Sequence, residues 1–149
     1  MREDLRSFLR FVRQQTPREY LRIDNPVSPQ LEIAATVAAL ESKKRMPVVE
    51  FSSVKGCSMP VITNVCASLP RIARSLNITA VELENRLFEA YENPIQPQVW
   101  ERNDGPPVRE CVIWGGEVDL YSLPQMRSSQ HEQAGFLSSA AVIARDPVT

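Results

Sequence analysis

YLRIDNPVSPQLEIAATVAALESKKRMPVVEF, residues 20–51, decides the fold, because it carries the signals of a strand, a helix and a second strand in succession. Residues 20–24 alternate between apolar and polar side chains, as a short strand does. Residues 25–29, Asn-Pro-Val-Ser-Pro, are a turn sequence. We expect Ser28 to cap the following helix and Pro29 to be its first residue. Residues 48–51 are apolar apart from one glutamate and predict the second strand.

The predicted helix has a face of small side chains that we expect to pack closely on a sheet. This face consists of Leu31, Ala34, Ala35, Val37 and Ala38. The helix fades at residues 42–45, where three cations complement the negative C-terminal end of the helix dipole. A third strand is predicted at residues 61–65. The turn-rich residues before it do not decide whether it forms a hairpin with the second strand.

Helical patterns flank these three strands. Near the N-terminus, four apolar residues fall at helical spacing: Leu5, Phe8, Leu9 and Val12. The arginines among them, at positions 2, 6, 10 and 13, fit a solvated face better than an anion site. Further along, residues 71–76 predict one or two helical turns. A capping box at residues 79–82 predicts another helix, whose apolar stripe is formed by Leu83, Leu87 and Tyr91, with Phe88 beside it.

The last part of the chain is predicted to return to strands. Cys111 to Trp114 predicts a strand that enters a tight turn at Gly115-Gly116. Residues 136–144 predict a mostly buried strand, and the chain stops soon after it in turn-forming residues. A buried strand needs neighbours on both sides, and no later segment supplies one. We therefore expect the sequence to be interrupted at Thr149.

The composition is that of an ordinary globular protein, with 43% hydrophobic and 23% charged residues. A formal net charge of −1 gives no field that would attract nucleic acid or an anionic membrane. No apolar run approaches the about 20 residues that a membrane helix needs, and the charged N-terminus lacks a signal-peptide core. Cys57, Cys66 and Cys111 show neither disulfide nor zinc spacing. We therefore expect reduced thiols and a cytoplasmic protein.

Residue spacing alone nominates no catalytic residue and no metal ligand. His131, the single histidine, has no second histidine at metalloprotease spacing and is expected at the surface. Glu82 and Glu84 are two residues apart on a predicted helix and point to different faces. Glu50 is expected to be an outward-facing polar residue of its strand rather than a general acid.

Short segments along nearly the whole chain, taken in order, resemble the N-terminal part of the UbiD decarboxylase family. None of them is specific alone, and the resemblance rests on their joint presence and order. The segments are Asp4–Leu9, Leu21–Asp24, Val27–Ala34, Pro47–Phe51 with Val54–Gly56, Met59–Val61 with Asn64, Arg71–Ala73, Val118–Leu120 with Leu123–Pro124, and Arg145–Pro147.

The resemblance implies the fold class and the domain organisation. Residues 1–124 would form the N-terminal α/β (α+β) domain with a mixed sheet. Residues 125–149 would begin the flavin-reductase-like split β-barrel that follows in the family, contributing its first strand. Complete UbiD-like enzymes use prenylated FMN, with Mn²⁺ and K⁺, to decarboxylate aromatic or α,β-unsaturated carboxylic acids reversibly. The decarboxylation chemistry belongs to that cofactor.

The resemblance carries one site residue over to this chain. Ser138 falls where the family often has a threonine or serine facing the flavin, and residues 132–135, Glu-Gln-Ala-Gly, replace an Asp-Ala-Gly-like stretch. The family's metal ligands, flavin-phosphate site and catalytic groups come later than Thr149. The resemblance therefore implies the N-terminal part or a short subunit of a decarboxylase that is inactive alone and binds no cofactor by itself.

The partners that the resemblance implies are an acid substrate, a flavin prenyltransferase that supplies the cofactor, and a homo-oligomer or a complementary decarboxylase subunit. The alternative is a non-catalytic assembly module. It would pair with a full-length or complementary UbiD-like chain through the edge of its last strand.

Overall fold

A computed structural model of the protein describes residues 4–97 and 109–137. The described residues divide into two compact units. Unit 1 runs up to Val65 and resumes at Tyr121, and unit 2 is Cys66–Leu120. Unit 2 is thus an insertion within the sequence of unit 1. The predicted domain boundary between residues 124 and 125 stays a prediction.

Unit 1 is built on a three-stranded mixed sheet in the order β1-β2-β3. The strands are β1, Tyr20–Ile23, β2, Val48–Phe51, and β3, Val61–Thr63. β1 and β2 are parallel, which requires a crossover connection, and the helix between them supplies it. β3 pairs antiparallel with β2. All three predicted strands are confirmed, and so is the mixed α/β class.

The core lies on both sides of β2, because alternate residues of a strand face opposite sides of the sheet. Val49 and Phe51 are fully buried against Ile33 of the second helix, and Val48 is fully buried against Leu9 and Val12 of the first helix. The sheet therefore lies between two helices, as layered α/β domains do.

The first helix, α1, is Leu5–Gln15, as its apolar spacing predicts. Asp4 is its N-cap, since its carboxylate accepts a hydrogen bond from the Ser7 amide at 2.7 Å. Leu9 and Val12 are buried, whereas Leu5, at the first position, is 53% exposed.

The second helix, α2, is Glu32–Ser42, so the prediction that it starts at Pro29 with Ser28 as its cap is wrong. The carbonyl of Pro29 accepts the Arg127 amide, and the Leu31 amide donates to the Arg127 carbonyl. Pro29 and Leu31 therefore pair with a segment distant in sequence, and α2 begins only after them. The Ser28 hydroxyl instead accepts a hydrogen bond from the Gln30 amide at 3.0 Å.

The face of α2 that meets the sheet also differs from the prediction. Ile33 is buried and Leu40 packs against the same cluster, whereas Ala35 and Ala38 are exposed. Ile33 and Leu40 are seven residues apart and lie on one side of the helix. Burying their larger side chains removes more apolar surface from water than burying alanines would.

Unit 2 contains two helices, α3, Leu69–Ser75, and α4, Leu83–Glu92. The predicted capping box is half formed: the Glu82 carboxylate accepts the Thr79 amide at 2.8 Å, but the helix begins only at Leu83. Of the predicted apolar stripe of α4, only Leu83 is buried. The remaining members are more than half exposed: Leu87 at 56%, Phe88 at 66% and Tyr91 at 81%.

The predicted strand at Cys111–Trp114 is not formed in the part of the chain that the structure describes. No described strand lies beside it, and a strand is stable only when its backbone pairs with a neighbour. The predicted turn after it is confirmed, as a short 3₁₀ helix at Gly115–Glu117. Of the predicted last strand, only residues 136 and 137 are described.

Within residues 4–97 and 109–137, no helix combines the length and the hydropathy that crossing a membrane requires.

Candidate functional site

Ser138, the one predicted site residue, lies outside the described residues, but the segment that leads to it is described. We call residues 125–137 the lead-in segment. Its Arg127 makes two backbone hydrogen bonds to Pro29 and Leu31, at 3.0 and 2.9 Å. Met126 and Phe136 exchange two more, at 3.1 and 2.8 Å. These four bonds fix the backbone of the lead-in segment within unit 1.

Gly135 is required by a close approach inside the lead-in segment. A Cβ atom at this position would lie 2.8 Å from both the carbonyl oxygen and the Cβ of Gln125. Backbone cannot move aside as the end of a flexible side chain can, so residues larger than glycine do not fit without a shift. The glycine at the end of the stretch that the resemblance likens to Asp-Ala-Gly thus has a steric reason in this fold.

Side chains close the turn of the lead-in segment. The Arg127 guanidinium donates to the carbonyls of Ser129 at 3.2 Å and Gln130 at 2.7 Å. One oxygen of the Glu132 carboxylate accepts the amides of Ser128 and Ser129, at 2.6 and 3.2 Å. The turn satisfies its own polar groups. His131 is exposed, as predicted.

Leu31, just before α2, binds the lead-in segment through its backbone and has a strained conformation. Its φ of 70° lies in the left-handed region that favours glycine. The Glu32 amide donates to the Gln30 carbonyl at 2.9 Å, which closes a three-residue γ-turn around Leu31. Such a conformation costs about 1–3 kcal/mol and persists where surrounding contacts hold it. Here the hydrogen bonds to Arg127 hold it.

A second polar arrangement, missed from sequence, lies on the α1 side of the sheet around Glu50. The Glu50 side chain is only 12% exposed and forms ion pairs with Arg13 at 2.7 Å and Arg22 at 3.1 Å. It also accepts a hydrogen bond from the Tyr20 hydroxyl. The expectation that Glu50 faces outward is therefore wrong, because α1 covers its side of β2. We call Arg13, Tyr20, Arg22 and Glu50 the Glu50 cluster.

Tyr20 and Arg13 reinforce each other within the Glu50 cluster. The Arg13 guanidinium donates to the Tyr20 hydroxyl at 2.5 Å and lies 4.7 Å from the centre of its ring, within range of a cation–π contact. Burial is the largest cause that raises the pKa of the Tyr20 hydroxyl, and its hydrogen bond to Glu50 adds to this. Tyr20 therefore acts as a neutral donor near neutral pH.

Asp24 and Ser52 extend the cluster to the ends of β1 and β2. The Ser52 hydroxyl donates to the Asp24 carboxylate at 2.6 Å, and Arg22 donates to the same oxygen at 2.7 Å. The hydrogen bond from Ser52, followed by that from Arg22, lowers the pKa of the Asp24 carboxyl. Every charge in this group has a partner, so the group ties α1, β1 and β2 together and offers no free acid or base.

One sequence signal points to the Glu50 cluster. Arg22 and Glu50 are the polar residues of two otherwise largely apolar strands, and parallel pairing in register places them opposite each other. Local sequence does not reveal which strands pair, so this signal alone does not predict the ion pair between Arg22 and Glu50.

The described residues do not fit a divalent metal site, since no three histidine, cysteine, aspartate or glutamate side chains among them converge. The acidic side chains nearest to each other around β1 and β2 are already bound to arginine or serine.

Residues 13–91 match the sequence profile of the 3-octaprenyl-4-hydroxybenzoate carboxy-lyase N-terminal domain. A phenolic acid decarboxylase from Streptomyces sp. (strain D7) is 32% identical over 155 residues, which cover 97% of this chain and 31% of that protein.

Two solved structures share the fold. The evolved dimeric form of the UbiD-class enzyme HmfF from Pelotomaculum thermopropionicum, in complex with prFMN, has a TM-score of 0.74 and 27% identity over 85% of this chain and 28% of its own. The vanillic acid decarboxylase of Sedimentibacter hydroxybenzoicus, in its closed form, has a TM-score of 0.71 and 28% identity over 87% of this chain and 28% of its own. The chain thus spans about a third of the length of these relatives.

Proposed function

Because the chain belongs to the UbiD decarboxylase family, we propose that it is the N-terminal part or a short subunit of a prenylated-FMN-dependent decarboxylase and is inactive alone. The substrates would be aromatic or α,β-unsaturated carboxylic acids. The observation that carries the proposal is the match of 85% of this chain, with a TM-score of 0.74, to a UbiD-class enzyme in complex with prFMN.

The role of this chain in that enzyme would be to position the segment that leads to Ser138. The lead-in segment, held by the backbone hydrogen bonds of Arg127 and by the close approach at Gly135, would set where the polypeptide continues toward Ser138. In the complete enzyme Ser138 would face the flavin, and residues 125–149 would begin the split β-barrel after an N-terminal domain of residues 1–124. Bound prenylated FMN would supply the decarboxylation chemistry itself.

The complete enzyme would also involve metal ions, a supplier of the cofactor and a partner polypeptide. Mn²⁺ and K⁺ would be bound by residues of the complete enzyme. For Mn²⁺, the described residues offer no converging set of three histidine, cysteine, aspartate or glutamate side chains. A flavin prenyltransferase would supply the cofactor. The protein would work in the cytoplasm, as a homo-oligomer or with a complementary decarboxylase subunit.

Reconstitution tests this function directly. The chain is expressed with a flavin prenyltransferase, alone or together with the Streptomyces phenolic acid decarboxylase from which the matching N-terminal region has been deleted. We expect no flavin absorbance and no CO₂ release from the chain alone, and both from the pair. A yellow chain that releases CO₂ by itself contradicts the inactivity. A pair that stays colourless contradicts the decarboxylase role.

A non-catalytic assembly module is the second candidate, and the exposed side chains of Leu87, Phe88 and Tyr91 on α4 favour it. Such a module would bind a full-length UbiD-like enzyme without changing its turnover. Addition of the chain to the intact Streptomyces relative distinguishes the two functions. A complex with unchanged activity supports the module, whereas the decarboxylase subunit would require a relative that lacks its own N-terminal region.

A further inference from the structure

One side of α4 combines exposed apolar side chains with carboxylates that have no partner. Leu87, Phe88 and Tyr91 are 56%, 66% and 81% exposed. Residues four apart lie above one another on a helix, so Glu84, Phe88 and Glu92 form one row, beside the row of Leu87 and Tyr91. In the part of the chain that the structure describes, neither Glu84 nor Glu92 has a side-chain hydrogen bond or an ion pair. We call these five residues the α4 face.

The other charges near α4 do not neutralise the α4 face. Arg86 and Glu89 pair with each other at 3.5 Å, and helical spacing places both outside the face. The carboxylate of Glu82, just before the helix, accepts hydrogen bonds from the amide and the hydroxyl of Thr79. The α4 face is therefore an apolar, aromatic surface with a net negative charge. A surface that complements it carries cations next to an apolar side chain.

The first helix offers such a surface. Arg6 and Arg10 are exposed and one helical turn apart, and among residues 4–97 and 109–137 neither has a side-chain hydrogen bond or an ion pair. Arg13 already belongs to the Glu50 cluster, and the N-cap Asp4 lies on the other side of the helix from Arg6. Leu5, at the same end of the helix, is 53% exposed. We call Leu5, Arg6 and Arg10 the α1 face.

A second basic segment, residues 43–45, is the alternative counterpart of the α4 face. Its cations, Lys-Lys-Arg, follow the last turn of α2 and complement the dipole of that helix. Guanidinium groups stack on aromatic rings as well as binding carboxylates, and a lysine ammonium does this less well. The α1 face has two free arginines for a surface with two aromatic rings, so it matches the α4 face better.

We propose that the α4 face of one copy of this chain binds the α1 face of a second copy. In a dimer with two-fold symmetry the contact occurs twice, because each copy supplies both faces. Contact between two α1 faces, or between two α4 faces, would place like charges together, so charge selects the mixed contact. The inference goes beyond the proposed function, since it concerns the chain alone and requires no decarboxylase activity.

Charge reversal tests this contact. The α4 variant carries Glu84→Lys and Glu92→Lys, and the α1 variant carries Arg6→Glu and Arg10→Glu. All four side chains are exposed and unpaired among the described residues. Both variants should therefore unfold at nearly the same urea concentration as the wild-type chain. Light scattering gives the mass of each species, and analytical ultracentrifugation gives the dissociation constants.

We expect the wild-type chain to have twice its monomer mass of 16.8 kDa. Each variant alone should dimerise at least about tenfold more weakly, because like charges then meet at both contacts. An equal mixture of the two variants should form a dimer with an affinity within about threefold of wild type, since both contacts again join opposite charges. A misfolded variant could not produce this recovery.

Lys43→Glu combined with Arg45→Glu is the matched control. It makes the same change of charge as the α1 variant, but on the alternative basic segment. This control chain should dimerise like the wild-type chain and should not form a dimer with the α4 variant. If it loses its own dimer and pairs with the α4 variant, the contact lies at residues 43–45 and the inference is overturned.

Three further outcomes would overturn the inference: a wild-type chain that stays monomeric, a dimer that neither variant weakens, and a mixture that does not recover the dimer. None of them bears on the proposed function, because the measurement involves neither flavin nor turnover. Conversely, a failed reconstitution of the decarboxylase would leave a dimer of the chain, and its response to charge reversal, unchanged.

Discussion

Arg22 and Glu50 lie directly opposite each other on the parallel strands β1 and β2, and their side chains form an ion pair at 3.1 Å. Glu50 also accepts from Arg13 and Tyr20. One carboxylate thus joins the first helix to two strands. The arrangement explains why a glutamate is tolerated in the otherwise fully buried strand β2.

Replacement of Glu50 by alanine should destabilise unit 1. The change leaves the Tyr20 hydroxyl without its acceptor and two guanidinium groups without their carboxylate, and we expect a loss of about 1–2 kcal/mol in the free energy of unfolding. The half-exposed arginines keep this value moderate, because water screens them. Urea unfolding followed by circular dichroism measures the change.

Glu89→Ala is the matched control for this prediction. Glu89 pairs with Arg86 at 3.5 Å on the exposed side of α4, and both side chains are more than 60% exposed. Removing this surface pair should change the stability by less than about 0.5 kcal/mol. If the two variants lose the same stability, the Glu50 cluster is not a structural tie.

Acid should weaken the fold partly through Asp24. Its carboxyl has a lowered pKa because Ser52 and Arg22 donate hydrogen bonds to the charged form. A lowered pKa in the folded state means that the contribution to stability is fully present above the unfolded value of about 3.9 and is lost as the pH falls through the folded value. Asp24→Asn should therefore flatten the stability curve below about pH 4.

Glu82 provides an internal comparison for that titration. Its pKa is also lowered, chiefly by the Thr79 amide, so it contributes with the same sign over the same acidic range. Asp24→Asn should remove only the part of the acid dependence that comes from Asp24, and Glu82→Gln only the part that comes from Glu82. The double variant should lose both parts. An acid dependence unchanged by Asp24→Asn would contradict the role of the Ser52 hydrogen bond.

Gly135→Ala should destabilise the lead-in segment. The new methyl group would meet the Gln125 carbonyl at 2.8 Å, and relief requires a backbone shift that costs about 1–3 kcal/mol. Gly116→Ala is the control, since nothing lies within 4 Å of its Cβ position. Hydrogen exchange of the Met126 and Phe136 amides reports the effect: both should exchange faster in Gly135→Ala only.

The sequence predicts local structure well here and distant pairing poorly. β1, β2 and α1 follow from alternation and helical spacing among neighbouring residues. The start of α2 does not, because Arg127, far along the chain, occupies the backbone of Pro29 and Leu31. For the same reason the Glu50 cluster was missed: Arg13, Tyr20, Arg22 and Glu50 meet only through the pairing of strands and the packing of α1. The prediction of a site near residues 125–149 comes from the family resemblance and not from local patterns.

At position 31, glycine should give a more stable protein than alanine, which is the reverse of the usual order. Inside a helix alanine is more stable than glycine by about 1 kcal/mol, but at a φ of 70° the Cβ atom of alanine is strained and glycine is not. Both variants lose the partly buried leucine side chain, so that loss cancels in the comparison. Leu31→Gly should therefore be more stable than Leu31→Ala by about 0.5–1 kcal/mol in urea unfolding. At Ala39, an exposed position within α2, the ordinary order should hold, so Ala39→Gly should be less stable than the wild-type chain. If alanine is favoured at both positions, Leu31 is not held in the left-handed region, and its backbone pairing with Arg127 does not delay the start of α2.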